Sequence, residues 1–269
     1  DRDSGDGAGV MTAMPWTLLQ TAGLDATLEP EKTGVAMVFL PLQAAAARIA
    51  REIFATAAKA EGFTVLGWRE VPVKPDVLGT LAKQNQPRIE QFFVQCDHAS
   101  GDDLERELYR LRRRIHRAQV SWQGATAIAQ QLKETYICSF SSRTIVYKGM
   151  VRSEVLSQFY LDLQNPDYVS PFAIYHRRFS TNTMPKWPLA HPMRLVGHNG
   201  EINTLVGNIN WMKAREADLA HPLWKGHIEE LLPIVNMVNS DSANLDGVME
   251  LLVRSGRTPL EALMIMVPE

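Results

Sequence analysis

Apolar and polar positions along the chain follow two periods, which together predict a mixture of strands and helices. The apolar run Gly34–Leu40, which Pro41 ends, has the composition of a strand buried on both faces. In Ala44–Glu61 the apolar residues recur at helical spacing, which predicts an amphipathic helix that Gly62 terminates. The chain therefore begins by alternating a buried strand with a helix that has one apolar face.

The same two periods assign elements to the rest of the chain. Strands are predicted at Gly9–Met14, Thr64–Val73, Ile89–Gln95, Thr135–Ser141, Thr144–Tyr147, Phe172–Phe179 and Leu195–His198. Helices are predicted at Gly101–Gln119, Ser153–Leu163, Ile202–Leu219, Ser242–Ser255 and Pro259–Met266. Because no internal repeat or low-complexity linker divides these elements, residues 1–269 are expected to form one domain of sheets and helices.

The net charge and the hydropathy of the chain give no reason to expect nucleic acid or a membrane as a partner. The formal net charge is -2 and the sequence pI is about 6.4, so no global electrostatic attraction to nucleic acid or to an anionic membrane is expected. The longest apolar runs, such as Gly34–Leu42 and Ala262–Val267, are much shorter than the ~20 residues that span a bilayer. We therefore expect a soluble protein of the cytoplasm, with an organellar matrix or stroma as the alternative.

One predicted helix is strongly basic. Arginines crowd its surface beside an apolar stripe, at Arg110, Arg112, Arg113, Arg114 and Arg117. A nucleic-acid-binding patch is one interpretation. A basic run on one amphipathic helix is more often a solvated or partner-facing surface, and we favour that interpretation.

The two cysteines, Cys96 and Cys138, are far apart in sequence and belong to no CxxC or Cys/His ligand spacing. This usage is typical of a reducing compartment and argues against a metal site. Cys138 lies among apolar residues, so it is expected to be a buried and inert thiol.

The stretch His176–Asn210 (HRRFSTNTMPKWPLAHPMRLVGHNGEINTLVGNIN) holds most of the interpretable chemistry. Taken one at a time, its residues have ordinary interpretations. Arg178 beside Arg177 could be a surface pair, and Asn199-Gly200 is a common turn dipeptide. Further along the chain, Asp241 between two serines looks like a helix N-cap.

Taken together, five segments in this order resemble the class II glutamine amidotransferases, and among them the glutaminase domain of glutamate synthase large subunits. The segments are Asp3–Gly9 (DSGDGAG), Tyr136–Thr144 (YICSFSSRT), Arg178–Thr183 (RFSTNT) with Lys186-Trp187-Pro188, His198–Thr204 (HNGEINT) with Asn208, and Ser240-Asp241-Ser242. The resemblance extends from the first residue to the last. It implies an α+β fold of the N-terminal-nucleophile hydrolase type, a four-layer αββα sandwich of two antiparallel sheets with helices on both outer faces.

The resemblance also assigns roles to residues. It implies that the Asn199 side chain and the Gly200 backbone N–H form an oxyanion hole, and that Arg178, Thr181 and Asp241 recognise glutamine. These residue types suit the chemistry, since an arginine fork matches a carboxylate and an aspartate accepts from an ammonium. Asn182–Leu189 would be a loop that closes over glutamine. His198 is expected to be a structural hydrogen-bonding histidine.

The family nucleophile is the cysteine at the mature N-terminus, whereas this chain opens on Asp1 and closes on Glu269 directly after an apolar run. We therefore expect a domain cut at both ends that does not hydrolyse glutamine alone. A non-catalytic glutamine-binding or assembly module is the alternative.

For whole enzymes of this kind the resemblance implies FMN, an iron–sulfur cluster and transfer of ammonia to 2-oxoglutarate in another domain. None of these cofactors is expected in residues 1–269. The implied partners are glutamine and glutamate, the remaining synthase domains, and either ferredoxin or a small NADPH-oxidising subunit.

Overall fold

The computed structural model describes residues 3–21, 23–24, 26–179, 184–200, 202 and 204–267. The strands are Gly9–Ala13 (β1), Thr33–Leu40 (β2), Thr64–Glu70 (β3), Arg88–Gln95 (β4), Tyr136–Ser141 (β5), Thr144–Lys148 (β6) and Ala173–His176 (β7). The α-helices are Trp16–Gln20 (α1), Ala44–Ala60 (α2), Thr80–Gln84 (α3), Gly101–Val120 (α4), Thr126–Lys133 (α5), Leu156–Phe159 (α6), Leu205–Glu216 (α7), Asp241–Arg254 (α8) and Pro259–Met266 (α9).

The strands form two antiparallel sheets. One contains three strands in the order β6-β1-β7, and the other contains four in the order β3-β4-β2-β5. All strand pairs within the two sheets are antiparallel. This confirms the prediction of an α+β fold with two antiparallel sheets.

Strand β2 is buried along its full length, as its apolar run predicts. Successive side chains of a strand point to opposite faces, so β2 contributes to two cores. Its odd-numbered residues Val35, Met37 and Phe39 join a core that also contains residues of β1 and β6. Its even-numbered residues Ala36, Val38 and Leu40 join a second core with residues of α2, α4 and α5. The four-stranded sheet is thus packed against the other sheet on one face and against helices on the other.

The arginines of α4 are held by the chain itself. Arg110 and Arg114 pair with Glu61 and Glu230, and Arg112 pairs with Glu250. Arg113 and Arg117 donate to the backbone oxygens of Pro233 and Glu229 respectively. Burial, the largest influence, lowers the pKa of Arg112 to about 10. The basic run is therefore an intramolecular packing surface, and not the solvated or partner-facing surface that the sequence favoured.

Two predicted elements differ in the structure. The predicted helix Ser153–Leu163 is interrupted, with only Leu156–Phe159 in α-helical form between two 3-10 turns. The predicted strand Leu195–His198 is wrong, because these residues lie outside both sheets. The short helices α1, α3 and α5 were not predicted, since a helix of one or two turns carries too few residues to show a period.

Within the described ranges, no helix combines the length and the apolar composition needed to cross a bilayer. In the same ranges, no group of three or more His, Cys, Asp or Glu residues is arranged to hold a metal ion.

Candidate functional site

The segment that leads to His198 is shaped by a buried carboxylate. Asp246 of α8 is fully buried, and it accepts hydrogen bonds from the backbone N–H groups of Arg194 (3.2 Å), Leu195 (2.8 Å) and Val196 (2.9 Å). These amides are thereby bonded to a side chain and not to a neighbouring strand. This is the physical reason why the predicted strand Leu195–His198 does not form.

The Arg194 side chain completes this arrangement from the other side. Its Nη1 lies 3.7 Å from Asp246 Oδ2, and its Nη2 donates to the Ile137 carbonyl at 2.8 Å. Burial raises the pKa of Asp246, and the Arg194 charge opposes that shift. Burial also acts to lower the pKa of Arg194, but Tyr136, Glu250 and Asp246 outweigh it and the pKa lies above its ordinary value. Arg194 thus remains a cation beside the carboxylate.

Replacing Asp246 by alanine should lower the free energy of unfolding by about 3–5 kcal/mol, because it leaves backbone amides and a buried guanidinium without their acceptor. Denaturant unfolding of the variant and the parent protein measures this difference. Asp218→Ala is the matched control, since Asp218 is exposed and its substitution should change stability by less than about 0.5 kcal/mol. A comparable small loss for Asp246→Ala would contradict the assigned role.

His198 connects the segment 194–200 to the start of α8. Its Nε2 lies 2.8 Å from Ser242 Oγ, and its Nδ1 accepts from the Gly200 backbone N–H at 3.2 Å. Asn199 and Gly200 are exposed next to it. These contacts agree with the prediction that His198 has a hydrogen-bonding role.

Asp241 is the first residue of α8, and Ser240 is the N-cap whose Oγ accepts from Ala243 N at 3.1 Å. The interpretation of Asp241 as the N-cap is therefore wrong by one position. Asp241 Oδ1 accepts from Ser242 N at 2.6 Å and from Ser242 Oγ at 3.1 Å. A carboxylate in the first turn is also stabilised by the helix dipole. Gly200 and Asp241 are thus joined through His198 and Ser242, and Asn199 is next to Gly200 in the chain.

Arg178 follows the end of β7 and is exposed. The backbone N–H of the next residue, Phe179, donates to the Asp6 carbonyl at 2.5 Å. Gly7 adopts φ +83°, and a Cβ there would lie 2.5 Å from the Phe179 ring, so the glycine-rich segment permits this close approach. The segment is a turn that leads into β1.

The segment that carries Arg178 is also hydrogen-bonded to the residues that precede Asn199. His176 Nε2 donates to the His198 carbonyl at 3.1 Å. This bond connects the end of β7 with the residues just before Asn199. The contact between His176 and His198 therefore places the segment that carries Arg178 near Asn199 and Gly200.

Thr181, the remaining predicted binding residue, lies outside the described residues, as does the beginning of the predicted closing loop Asn182–Leu189. The end of that loop is anchored. Trp187 is buried, its ring meets Phe39 edge-on at 5.7 Å, and its Nε1 donates to the Ala82 carbonyl at 3.3 Å. Trp187 is thus part of the protein core, and the closing of the loop remains a prediction.

The rings of three histidines, His176, His191 and His198, form a cluster. The centroids of His176 and His191 are 4.7 Å apart, and those of His191 and His198 are 5.5 Å apart. Burial, followed by the neighbouring His176, Lys148 and His198, lowers the pKa of His191 to about 4, with Asp241 opposing. His191 is therefore neutral near pH 7 and adds no cationic charge to this cluster.

The contacts of Asp246 and the histidine cluster were not predicted from the sequence. A signal for Asp246 was available in the sequence. Ser242, Asp246 and Met249 recur at helical spacing on the face of α8 that the structure buries, and a carboxylate on such a face needs a partner. No comparable signal indicates the histidine cluster, because His176, His191 and His198 come from separate segments.

Both cysteines are fully buried. Burial raises the pKa of Cys138 to about 12 and also raises that of Cys96. Neither thiol is available as a thiolate at neutral pH. The prediction that Cys138 is a buried thiol is confirmed.

The whole chain, residues 1–269, matches the family model of the class II glutamine amidotransferases. The chain belongs to this family.

Among curated proteins it is 58% identical over 276 residues to ferredoxin-dependent glutamate synthase 2 of Synechocystis sp.. It is 54% identical to the chloroplastic ferredoxin-dependent glutamate synthases of Spinacia oleracea, over 273 residues, and of Oryza sativa subsp. japonica, over 274 residues. Each alignment covers 100% of this chain but only 17%, 16% and 16% of the respective relatives. The chain thus spans about a sixth of the length of these proteins.

Proposed function

We propose that this chain binds glutamine and takes part in hydrolysing its side-chain amide to glutamate and ammonia. The observation that carries the proposal is the hydrogen-bonded link from Asp241 through Ser242 and His198 to Gly200. It joins a candidate acceptor for the α-ammonium group to candidate donors for the side-chain carbonyl. Family membership supports the same activity.

Each end of glutamine has a candidate partner. The Asp241 carboxylate would accept from the α-ammonium, and the Arg178 guanidinium, with Thr181, would hold the α-carboxylate. Hydrogen bonds to charged groups contribute about 1.5–3 kcal/mol each. Together these contacts would distinguish glutamine from amides that lack an amino-acid end.

The two proposed oxyanion donors differ in whether they already make a hydrogen bond within the chain. The Asn199 side chain is exposed and makes no hydrogen bond to any residue that the structure describes, so its amide is available. The Gly200 amide donates to His198 Nδ1, so it would serve the oxyanion by sharing or exchanging that bond. Asn199 is therefore the stronger candidate for the principal donor.

The reaction needs a nucleophile beyond the two thiols of this chain. In the mechanism that the family resemblance implies, a cysteine thiolate attacks the amide carbon, and a tetrahedral intermediate forms. Ammonia leaves with a proton that the cysteine α-amino group delivers, and a γ-glutamyl thioester remains. Water then cleaves the thioester and releases glutamate. The residues of this chain would bind glutamine and stabilise the oxyanion in both steps.

Ammonia release from glutamine by the longer gene product that carries this chain tests the proposal. Cys96→Ala and Cys138→Ala should leave that turnover unchanged, since both thiols are buried and protonated. Residues 1–269 alone should release no ammonia. Turnover abolished in either cysteine variant, with ammonia-dependent synthesis retained, would place the nucleophile in this chain. Glutamine binding by the longer product without hydrolysis would favour the non-catalytic module.

For the longer protein we propose a glutamate synthase in which the ammonia passes to 2-oxoglutarate in another domain. FMN and an iron–sulfur cluster would belong to that longer polypeptide. The names of the relatives favour ferredoxin over an NADPH-oxidising subunit as electron donor. The cytoplasm is the proposed location, and the chloroplastic relatives make an organellar stroma the alternative.

A further inference from the structure

A continuous line of hydrogen bonds crosses the candidate site. Gly200 N donates to His198 Nδ1 at 3.2 Å, His198 Nε2 contacts Ser242 Oγ at 2.8 Å, and Ser242 Oγ donates to Asp241 Oδ1 at 3.1 Å. The two end residues are a proposed oxyanion donor and the proposed ammonium acceptor. The two middle residues have no assigned part in glutamine chemistry.

The chemistry of the end groups fixes the direction of every bond in this line. A backbone N–H can only donate, so His198 Nδ1 is an acceptor and the imidazole proton is on Nε2. An ionised carboxylate can only accept, so the Ser242 hydroxyl donates to Asp241 and accepts from His198. These bonds therefore select the tautomer of His198 that carries its proton on Nε2. Asparagine or glutamine cannot reproduce both of its contacts, because an amide at either chain length reaches only one of the two partners.

We propose that His198 and Ser242 are positioning residues that set the distance between the oxyanion donors and the ammonium acceptor. This inference rests on the proposed glutaminase function. The α-ammonium and the side-chain carbonyl are the two ends of one glutamine molecule, so their binding groups must stand at a matching separation. A misplacement of 1 Å at a reacting centre can lower the rate by about 100-fold.

The rest of α8 supports this role. Ser242 is 1% exposed and Asp246 is 0% exposed, so both are fixed in the packed side of the helix. Asp246 holds the backbone of 194–196, and Ser242 holds the side chain of His198. The segment before Asn199 is thus attached to one helix at two points, and Asp241 begins that same helix.

A double-variant cycle in the longer gene product tests the proposal. His198→Asn keeps an acceptor for the Gly200 amide but does not reach Ser242, and Ser242→Ala removes the same bond from the other side. Each variant should lower kcat for glutamine by about tenfold to 100-fold, with a smaller change in KM. The double variant should be no slower than the slower single variant, because both substitutions remove one shared contact. Ammonia-dependent glutamate synthesis should stay at the parent level.

His221→Asn is the matched control. The Leu223 backbone N–H donates to His221 Nδ1 at 3.4 Å, which repeats the local contact of His198 away from α8 and the loop. This control should leave kcat unchanged. His198→Gln can reach Ser242 but not the Gly200 amide. It is the variant to measure in place of His198→Asn if His198→Asn misfolds and loses ammonia-dependent activity.

The outcomes separate this inference from the proposed function. If the parent protein releases no ammonia from glutamine, the proposed function fails. If the parent is active and the variants keep or raise kcat, or if their losses add in the double variant, His198 and Ser242 do not position the site.

Discussion

Replacing Asn199 by alanine should lower the turnover number with glutamine by about 10²–10³-fold, with little change in KM. The tetrahedral intermediate places negative charge on the former carbonyl oxygen, and a fixed amide donor stabilises that charge more than it stabilises the ground state. The exposed Asn199 side chain has no hydrogen bond to any described residue, so its removal should leave the local structure intact. Steady-state glutaminase kinetics of the longer gene product measure both constants.

Asn239→Ala is the matched control, because Asn239 is also exposed and lies in a loop before α8. Its substitution should leave both constants unchanged. An unchanged turnover number for Asn199→Ala would remove Asn199 from the oxyanion hole. A rise in KM alone would instead assign it to ground-state binding of glutamine.

Asp241→Asn should raise the KM for glutamine by about 10-fold to 150-fold, which corresponds to the loss of about 1.5–3 kcal/mol from a charged hydrogen bond. The asparagine retains an Oδ1 atom that can accept from Ser242 N, so the first turn of α8 is expected to persist. Ammonia-dependent synthesis should be nearly unaffected, because it bypasses glutamine. Initial rates at varied glutamine and at varied ammonia concentration measure the two effects separately.

Asp102→Asn provides the control for that substitution. Asp102 lies in the first turn of α4, as Asp241 lies in the first turn of α8, and its exposed side chain pairs with Arg143 at 2.7 Å. Exposed ion pairs contribute little, so this variant should behave like the parent protein. Equal loss of glutamine-dependent and ammonia-dependent activity in Asp241→Asn would count against the placement of Asp241 in the glutamine site.

The elements that were predicted well carry their signal in adjacent residues. The start of α9 is an example, since Thr258 is followed by Pro259 and by Glu261 three positions after the threonine. The structure contains the corresponding capping box, with Thr258 Oγ1 accepting from Glu261 N at 3.2 Å and Glu261 Oε2 accepting from Thr258 N at 2.8 Å. The full burial of β2 likewise follows from its continuous apolar run.

The site was only partly predictable. The residue types Arg178, Asn199, Gly200 and Asp241 could be identified from motifs, and their roles remain predictions. The contacts that connect them could not be identified, because Asp246 binds the backbone of a segment some 50 positions earlier in the chain. No local pattern records such a partner. The mistaken strand at Leu195–His198 has the same origin, since its apolar residues suit a strand while its amides are bonded elsewhere.

By itself, the sequence determined the family, the chemical groups available to the site and most of the regular elements. These properties depend on the order of residues along the chain, which motifs and periodicity record. The tertiary structure alone decided that Cys96 is buried, that the arginines of α4 are paired internally and that α8 holds the segment before Asn199. Burial and long-range hydrogen bonding depend on which surfaces meet when the chain folds, and residues that meet in this way can be far apart in sequence.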